Sequence, residues 1–142
     1  MTTPEKILYE AEMTATGGRE GRAVSPDGGF SLDLSIPKGL GGPGGDGTNP
    51  EQLFAAGYAA CFLGALGLVA RQGKVALPKE TTVTAKVGIG PVATGYGLAV
   101  ALTATIPGLD RAAAEDLMAK AHERCPYSNA TRGNIDVTLS VA

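Results

Sequence analysis

Eighteen consecutive residues without a charge, Leu53 to Ala70 (LFAAGYAACFLGALGLVA), restrict this chain more than any other feature. A run of that length sits at the threshold for a helix that crosses a bilayer, so the membrane reading has to be answered first. Nine of the 18 residues are Ala or Gly, a weakly apolar composition, and nothing else in the chain offers a second span. The run therefore reads as the central helix of a soluble domain, apolar on all sides and covered by sheet on one side and by something else on the other. Its ends are punctuated by Asn49 as N-cap, Pro50 at the first helical position, Glu51 in the first turn and Gly73 after the last periodic residue. Those signals set the helix at Pro50 to Gln72, about 35 Å long at 1.5 Å per residue.

Around this helix the pattern changes to period two. Phe30, Leu32, Leu34 and Ile36, then Val83, Ala85, Val87 and Ile89, then Leu98, Val100, Leu102 and Ala104, and finally Ile135, Val137, Leu139 and Val141 alternate with polar residues and read as half-buried strands. One wet face suits antiparallel sheet. Ile7 to Met13 is a weaker candidate for a first strand. A second helix is expected from the N-cap Asp110 to about Arg124, with Ala114, Leu117, Met118 and Ala121 as its apolar stripe. Cys125 precedes Pro126 and so should end it. The order of elements gives an α+β class in a single domain, residues 1–142.

Composition excludes several functions. A net charge of −2 provides no basic footprint, so neither nucleic acid nor an anionic membrane surface is expected as a partner. The start, MTTPEKILYEAEM, has no apolar segment behind basic residues, and the expected location is cytoplasmic. Gly is 21 of 142 residues, which requires backbones to approach closely somewhere. The loop GLGGPGGDG, Gly39 to Gly47, contains a literal GxGxxG, but the helix starts too late, no acidic residue follows at the required distance and no Lys follows the glycines. It reads as a tight loop that delivers the chain to Asn49.

The two cysteines, Cys61 and Cys125, are 64 positions apart and form no CxxC pair. A zinc site made with His122 lacks a fourth ligand, and His122 reads as a surface residue whose cation complements the end of a helix. Cys61 is the better-placed nucleophile. Its helical neighbours are Gly57, Tyr58, Gly64 and Ala65, and each interior Gly costs about 1 kcal/mol relative to Ala. Either close helix packing or room for an apolar ligand offsets that cost, and residue types alone leave both open. Cys125, at the carbonyl end of its helix, disfavours an anion and suits a resolving thiol.

The segments NPEQLFAAGYAACF (Asn49 to Phe62) and HERCPYSNATRGN (His122 to Asn134) resemble the two signature blocks of the organic hydroperoxide resistance proteins, the Ohr branch of the OsmC/Ohr family. The resemblance extends along the whole chain. It implies antiparallel sheets wrapped around a long central helix in an intertwined homodimer, with active sites at the subunit interface. It further implies a cysteine peroxidase that reduces organic hydroperoxides to alcohols and is re-reduced by dihydrolipoamide of lipoylated proteins, with no metal, flavin or haem. By position, Cys61 would be the peroxidatic thiol, Cys125 the resolving thiol, and Arg19 with Glu51 the groups that organise the site.

The chemistry asks for such residues. A free thiol has a pKa near 8.5 and needs a nearby cation to be a thiolate at neutral pH. Arg19 stays charged, and Glu51 can fix its guanidinium through a bidentate pair. Arg22, three positions further along an extended strand, should face the other way. Ten residues of helix separate Glu51 from Cys61, about 15 Å along the axis and roughly 80° around it, too far for one Arg to clamp the carboxylate and touch the sulfur. Two helices crossing antiparallel about a twofold near Ala56 would bring Glu51 of one subunit beside Cys61 of the other. The competing expectations are an OsmC-type peroxidase, a hot-dog-like thioester hydrolase that needs neither Cys, and a non-enzymatic thiol redox sensor or apolar-ligand carrier. Phe54, Tyr58 and Phe62 are the aromatics available to line an apolar pocket.

Overall fold

The Asn49 carboxamide accepts the amide of Gln52 at 2.8 Å and so starts helix α1 (Pro50–Gln72), the limits expected from its caps. At the far end Gly73 N–H reaches Val69 O, but the left-handed position falls on Lys74 (φ 57) rather than on Gly73. The computed structural model describes residues 2–142. These form two compact units, Met1–Leu53 and Phe54–Ala142, whose boundary falls inside α1.

The first unit holds three short antiparallel strands, β1 (Thr14–Thr16), β2 (Arg22–Val24) and β3 (Ser31–Asp33), in that order. Ile7 to Met13 is not a strand, in contrast to the expectation from its apolar residues: pairing begins only at Thr14, opposite Val24. The β1–β2 connection is a single 3-10 turn, Gly18–Glu20, entered through Gly17 at φ 77 and closed by Gly21. A Cβ on Gly21 would lie 1.6 Å from the carbonyl oxygen of Thr16, so only glycine closes this turn. After β3, Leu34 bridges to Thr48, whose segment leads directly into the α1 cap. The glycine loop between them is spent on itself. Gly42 N–H bonds Pro37 O, Gly44 N–H bonds Ile36 O and Gly47 N–H bonds Ser35 Oγ, so these amides are not free to cradle a phosphate.

The second unit carries the core. Strands β4 (Thr82–Val92) and β5 (Gly95–Thr105) form a continuous antiparallel hairpin from Thr82↔Thr105 to Val92↔Gly95. Helices α2 (Arg111–Arg124) and α3 (Pro126–Thr131) follow, and β6 (Val137–Val141) returns beside β5. It returns parallel, Val100↔Val137 to Ala104↔Val141, because a helical crossover brings the chain back to the same end of the sheet. The antiparallel pattern expected from the alternation therefore holds for β1–β2, β2–β3 and β4–β5 and not for this pairing. Asp110 caps α2 by accepting the amide of Ala113, and the expected stripe of Ala114, Leu117, Met118 and Ala121 is buried. These residues pack with Val100, Leu102 and Ala104 of β5 against Tyr58, Phe62, Leu66 and Val69 of α1.

Helix α1 is long and apolar enough to span a membrane by length and composition, but its inward face is the core of this unit. Its outward face is uncovered in the single chain, contrary to the expectation of cover on both sides. Leu53, Ala56, Ala60, Gly64 and Leu68 are all exposed there.

Candidate active site

The predicted site residues fall into two groups, one in each unit. In the first, the 3-10 turn lifts Arg19 to the tip of the β1–β2 hairpin, and the α1 cap places Glu51 in the first helical turn. The guanidinium meets the carboxylate as a two-pronged pair, Nη1 to Oε2 at 2.8 Å and Nη2 to Oε1 at 2.7 Å. Glu51 is largely covered, with 12% of its side chain exposed against 37% for Arg19. The hydrogen bond from Arg19 holds the Glu51 carboxyl below its ordinary range, and that from Glu51 holds the guanidinium above its own. Arg22 is occupied elsewhere, pairing with Asp33 at 3.0 Å and donating to Ser31.

In the second group Cys61 and Cys125, 64 residues apart in the chain, lie with their sulfurs 3.5 Å apart. Both thiols are free. Cys125 closes α2 by donating its amide to Ala121 O and, in an extended conformation, also opens α3, so Pro126 turns the chain immediately after the sulfur. Helix α3 is not apparent from the sequence, because six residues are too few for a hydrophobic period. Cys125 is fully buried and Cys61 half-buried. Burial pushes the Cys61 thiol up, the neighbouring Cys125 adds to that push, and a hydrogen bond from the Tyr127 backbone opposes it.

The interior glycines of α1 have two different explanations. A Cβ on Gly57 would lie 2.6 Å from the Tyr127 hydroxyl, so this glycine makes room for a ring of the same chain. Gly64 meets nothing within 4 Å. The expected aromatic lining also needs correction: Tyr58 and Phe62 are fully buried core residues, since both point inward from α1. Of the three aromatics only Phe54 remains at a surface groove. With Leu98, Pro126, Tyr127, Ala130 and Ile135 it lines an apolar space of about 430 Å³ next to Cys125 in sequence.

His122 is not the surface cation expected from its place in the last turn of α2. It is partly buried, its Nδ1 lies 2.8 Å from Ser128 Oγ, and burial followed by the charge of Arg132 favours the neutral ring. Its ring faces a hydroxyl rather than a sulfur. Among the described residues no three His, Cys, Asp or Glu side chains converge as a metal site would require. Tyr127, Ser128 and Thr131 escaped the sequence reading. Their only signal was the run of hydroxyl-bearing residues after Cys125-Pro126.

Comparison with known proteins is consistent across its levels. Residues 42–140 match the family of OsmC-like proteins. The chain is 61% identical to the organic hydroperoxide resistance protein of Xanthomonas axonopodis pv. citri (strain 306), covering 100% of both. It is 49% identical to the organic hydroperoxide resistance protein OhrA of Bacillus subtilis (strain 168), covering 95% of this chain and 96% of that one. Among solved structures it is similar to an organic hydroperoxide resistance protein of Legionella pneumophila, with a TM-score of 0.90 at 52% identity over 96% of this chain and 99% of the other. Its similarity to OhrB of Bacillus subtilis has a TM-score of 0.86 at 42% identity, over 96% and 100% of the two chains.

Proposed function

This chain belongs to the OsmC/Ohr family, and from that premise we propose that it is a thiol peroxidase that reduces organic hydroperoxides to alcohols. One observation carries the reading: two thiols remote in sequence, one half-buried and one buried, lie 3.5 Å apart. The Cys61 thiolate attacks the peroxide O–O bond. A sulfur–oxygen bond forms, the O–O bond breaks, and the departing alkoxide takes up a proton to leave as the alcohol. Cys125 then attacks the Cys61 sulfenic acid. A sulfur–sulfur bond replaces the sulfur–oxygen bond and water leaves, which spares Cys61 from irreversible oxidation. An external dithiol, dihydrolipoamide of a lipoylated protein in our proposal, reduces the disulfide and is itself oxidised to the cyclic disulfide. The cytoplasm, which keeps thiols reduced between turnovers, suits this cycle.

The first step needs a cation, since the groups of the second unit leave the Cys61 thiol raised. Arg19 is the cation we assign, with Glu51 as the residue that fixes its orientation. The enzyme in this proposal is a homodimer in which Arg19 and Glu51 of one subunit serve the cysteines of the other. The uncovered α1 face, small at Ala56, Ala60 and Gly64, supports a close antiparallel crossing of two such helices. The apolar groove lined by Phe54, Leu98 and Tyr127 supports an organic substrate rather than hydrogen peroxide.

The test is a count of free thiols on reduced protein before and after one equivalent of cumene hydroperoxide, with intact mass to identify the product. Loss of both thiols as an intramolecular disulfide, abolished in Cys61→Ser, is the expected result. Survival of both thiols in folded protein under excess peroxide would overturn the proposal.

A further inference from the structure

The elements that carry the two sulfurs also carry a chain of buried hydroxyls that the peroxidase cycle does not use. Tyr58 Oη lies 2.9 Å from Ser128 Oγ and 3.1 Å from Thr131 Oγ1, and His122 Nδ1 lies 2.8 Å from Ser128 Oγ. Tyr58 and Ser128 are fully buried and Thr131 nearly so, so none can turn to solvent for a missing partner.

Counting protons fixes the direction of this chain. Thr131 Oγ1 contacts the carbonyl oxygens of Tyr127 at 3.0 Å and Ser128 at 3.2 Å, and a carbonyl can only accept, so the single Thr131 hydroxyl proton is spent there. Thr131 therefore accepts from Tyr58. Tyr58, having donated, accepts from Ser128, and Ser128, having donated, accepts from His122. The ring of His122 must carry its proton on Nδ1; Tyr58 and Ser128 then each give one hydrogen bond and take one, and Thr131 takes one and shares its proton between the two carbonyls.

The placement of these residues says what the chain holds. His122 and Ser128 are the third residues before and after Cys125, and Tyr58 is the third before Cys61 on α1. The chain thus pins both sides of the α2–α3 elbow, at whose apex Cys125 sits, to the helix that carries Cys61. We propose that His122, Ser128 and Tyr58 are positioning residues for the resolving step: they hold Cys125 within reach of Cys61 so that disulfide closure outruns further oxidation. The inference rests on the two-cysteine reading above, and it assigns these residues no part in the attack on peroxide.

The experiment mixes reduced protein rapidly with cumene hydroperoxide and follows both peroxide loss and, by quenched intact mass, the ratio of disulfide to sulfinic acid. In Ser128→Ala and Tyr58→Phe the first equivalent of peroxide should disappear within about twofold of the wild-type rate, while disulfide closure slows by about tenfold or more and sulfinic acid accumulates. His122→Ala should behave alike. His122→Asn, whose carboxamide N–H can stand where Nδ1–H stood, should restore the wild-type ratio, a rescue that would not occur if His122→Ala acted through lost packing alone. Nitrogen chemical shifts should find a proton on His122 Nδ1. Tyr58→Phe removes one oxygen only and carries the test if Ser128→Ala does not fold. Closure at the wild-type rate in folded Tyr58→Phe, or a neutral ring protonated on Nε2, would overturn the proposal. Closure driven by diamide, which needs no peroxide chemistry, separates the two failures. If wild-type protein ignores peroxide yet diamide closes the disulfide more slowly in Tyr58→Phe, the peroxidase reading falls and the positioning role stands.

Discussion

The two units of this chain are built on opposite plans. The first, Met1–Leu53, buries almost nothing: of its described residues only Leu34 is buried, while Ile7, Leu8, Tyr9, Met13 and Phe30 stand exposed. What it does build well is an ion pair, two short hydrogen bonds between Arg19 and a largely covered Glu51. The second unit has the packed core and the two sulfurs, and its own environment disfavours the thiolate a peroxidase needs. In the proposed mechanism each unit supplies what the other lacks. In the proposed homodimer a second copy of the chain covers the apolar surface left open on the first unit and on the outer face of α1.

Removing the charge from the first unit gives the largest expected effect. Arg19→Ala should slow the first step by about 10²–10³-fold, the usual cost of losing one preorganised electrostatic donor, and should raise the Cys61 thiol titration followed by alkylation rate. Arg19→Lys should recover only part of this, because an ammonium cannot grip Glu51 with two prongs. An unchanged thiol titration in Arg19→Ala would break the division of labour between the units. Glu51→Gln should cost less, about tenfold, since it loosens the guanidinium without removing it. Because Arg19 depresses the Glu51 carboxyl in the folded protein, the ion pair contributes stability in full above the unfolded carboxylate pKa and loses it as pH falls through the depressed folded value. Thermal midpoints of wild type and Glu51→Gln should therefore differ at neutral pH and converge in acid; a gap that widens on acidification would contradict the pairing.

The smallest effects separate the two faces of α1. Gly57→Ala should destabilise the protein by about 1–3 kcal/mol, because its Cβ would meet the Tyr127 hydroxyl at 2.6 Å. Gly64→Ala meets nothing in its own chain and should stabilise an isolated helix by up to about 1 kcal/mol. Denaturation at several protein concentrations sharpens the comparison: a Gly64→Ala penalty that grows with association places the partner helix on this face, and a uniform gain places it elsewhere.

Much of this arrangement could be read from residue order. Asn49-Pro50-Glu51 set the start of α1, Asp110 the start of α2, and Cys125-Pro126 its end, because caps and proline act within a few residues. The strand alternation placed Leu102 and Ala104 in the core for the same local reason. What stayed hidden depended on distant partners. Ile7 to Met13, the weaker strand candidate, stays unpaired because a strand needs a neighbour and the single chain gives it none. The parallel pairing of β6 is decided by a crossover, and His122 looked solvent-facing until Ser128 came round to meet it. Gly57 and Gly64 are the same residue on one helix, and only the position of Tyr127 tells them apart.

The central claim, that the ion pair of one chain serves the cysteines of another, is tested most directly by mixing two crippled variants. Cys61→Ser retains Arg19 and Glu51 but has no nucleophile, and Arg19→Ala retains both cysteines but has no cation. After random exchange about half of the dimers are mixed, each with one complete site of two, so about one quarter of the wild-type peroxide consumption per chain should return. Demonstrated subunit exchange with activity no higher than the average of the parents would show that each chain serves its own cysteines, and the account would fail.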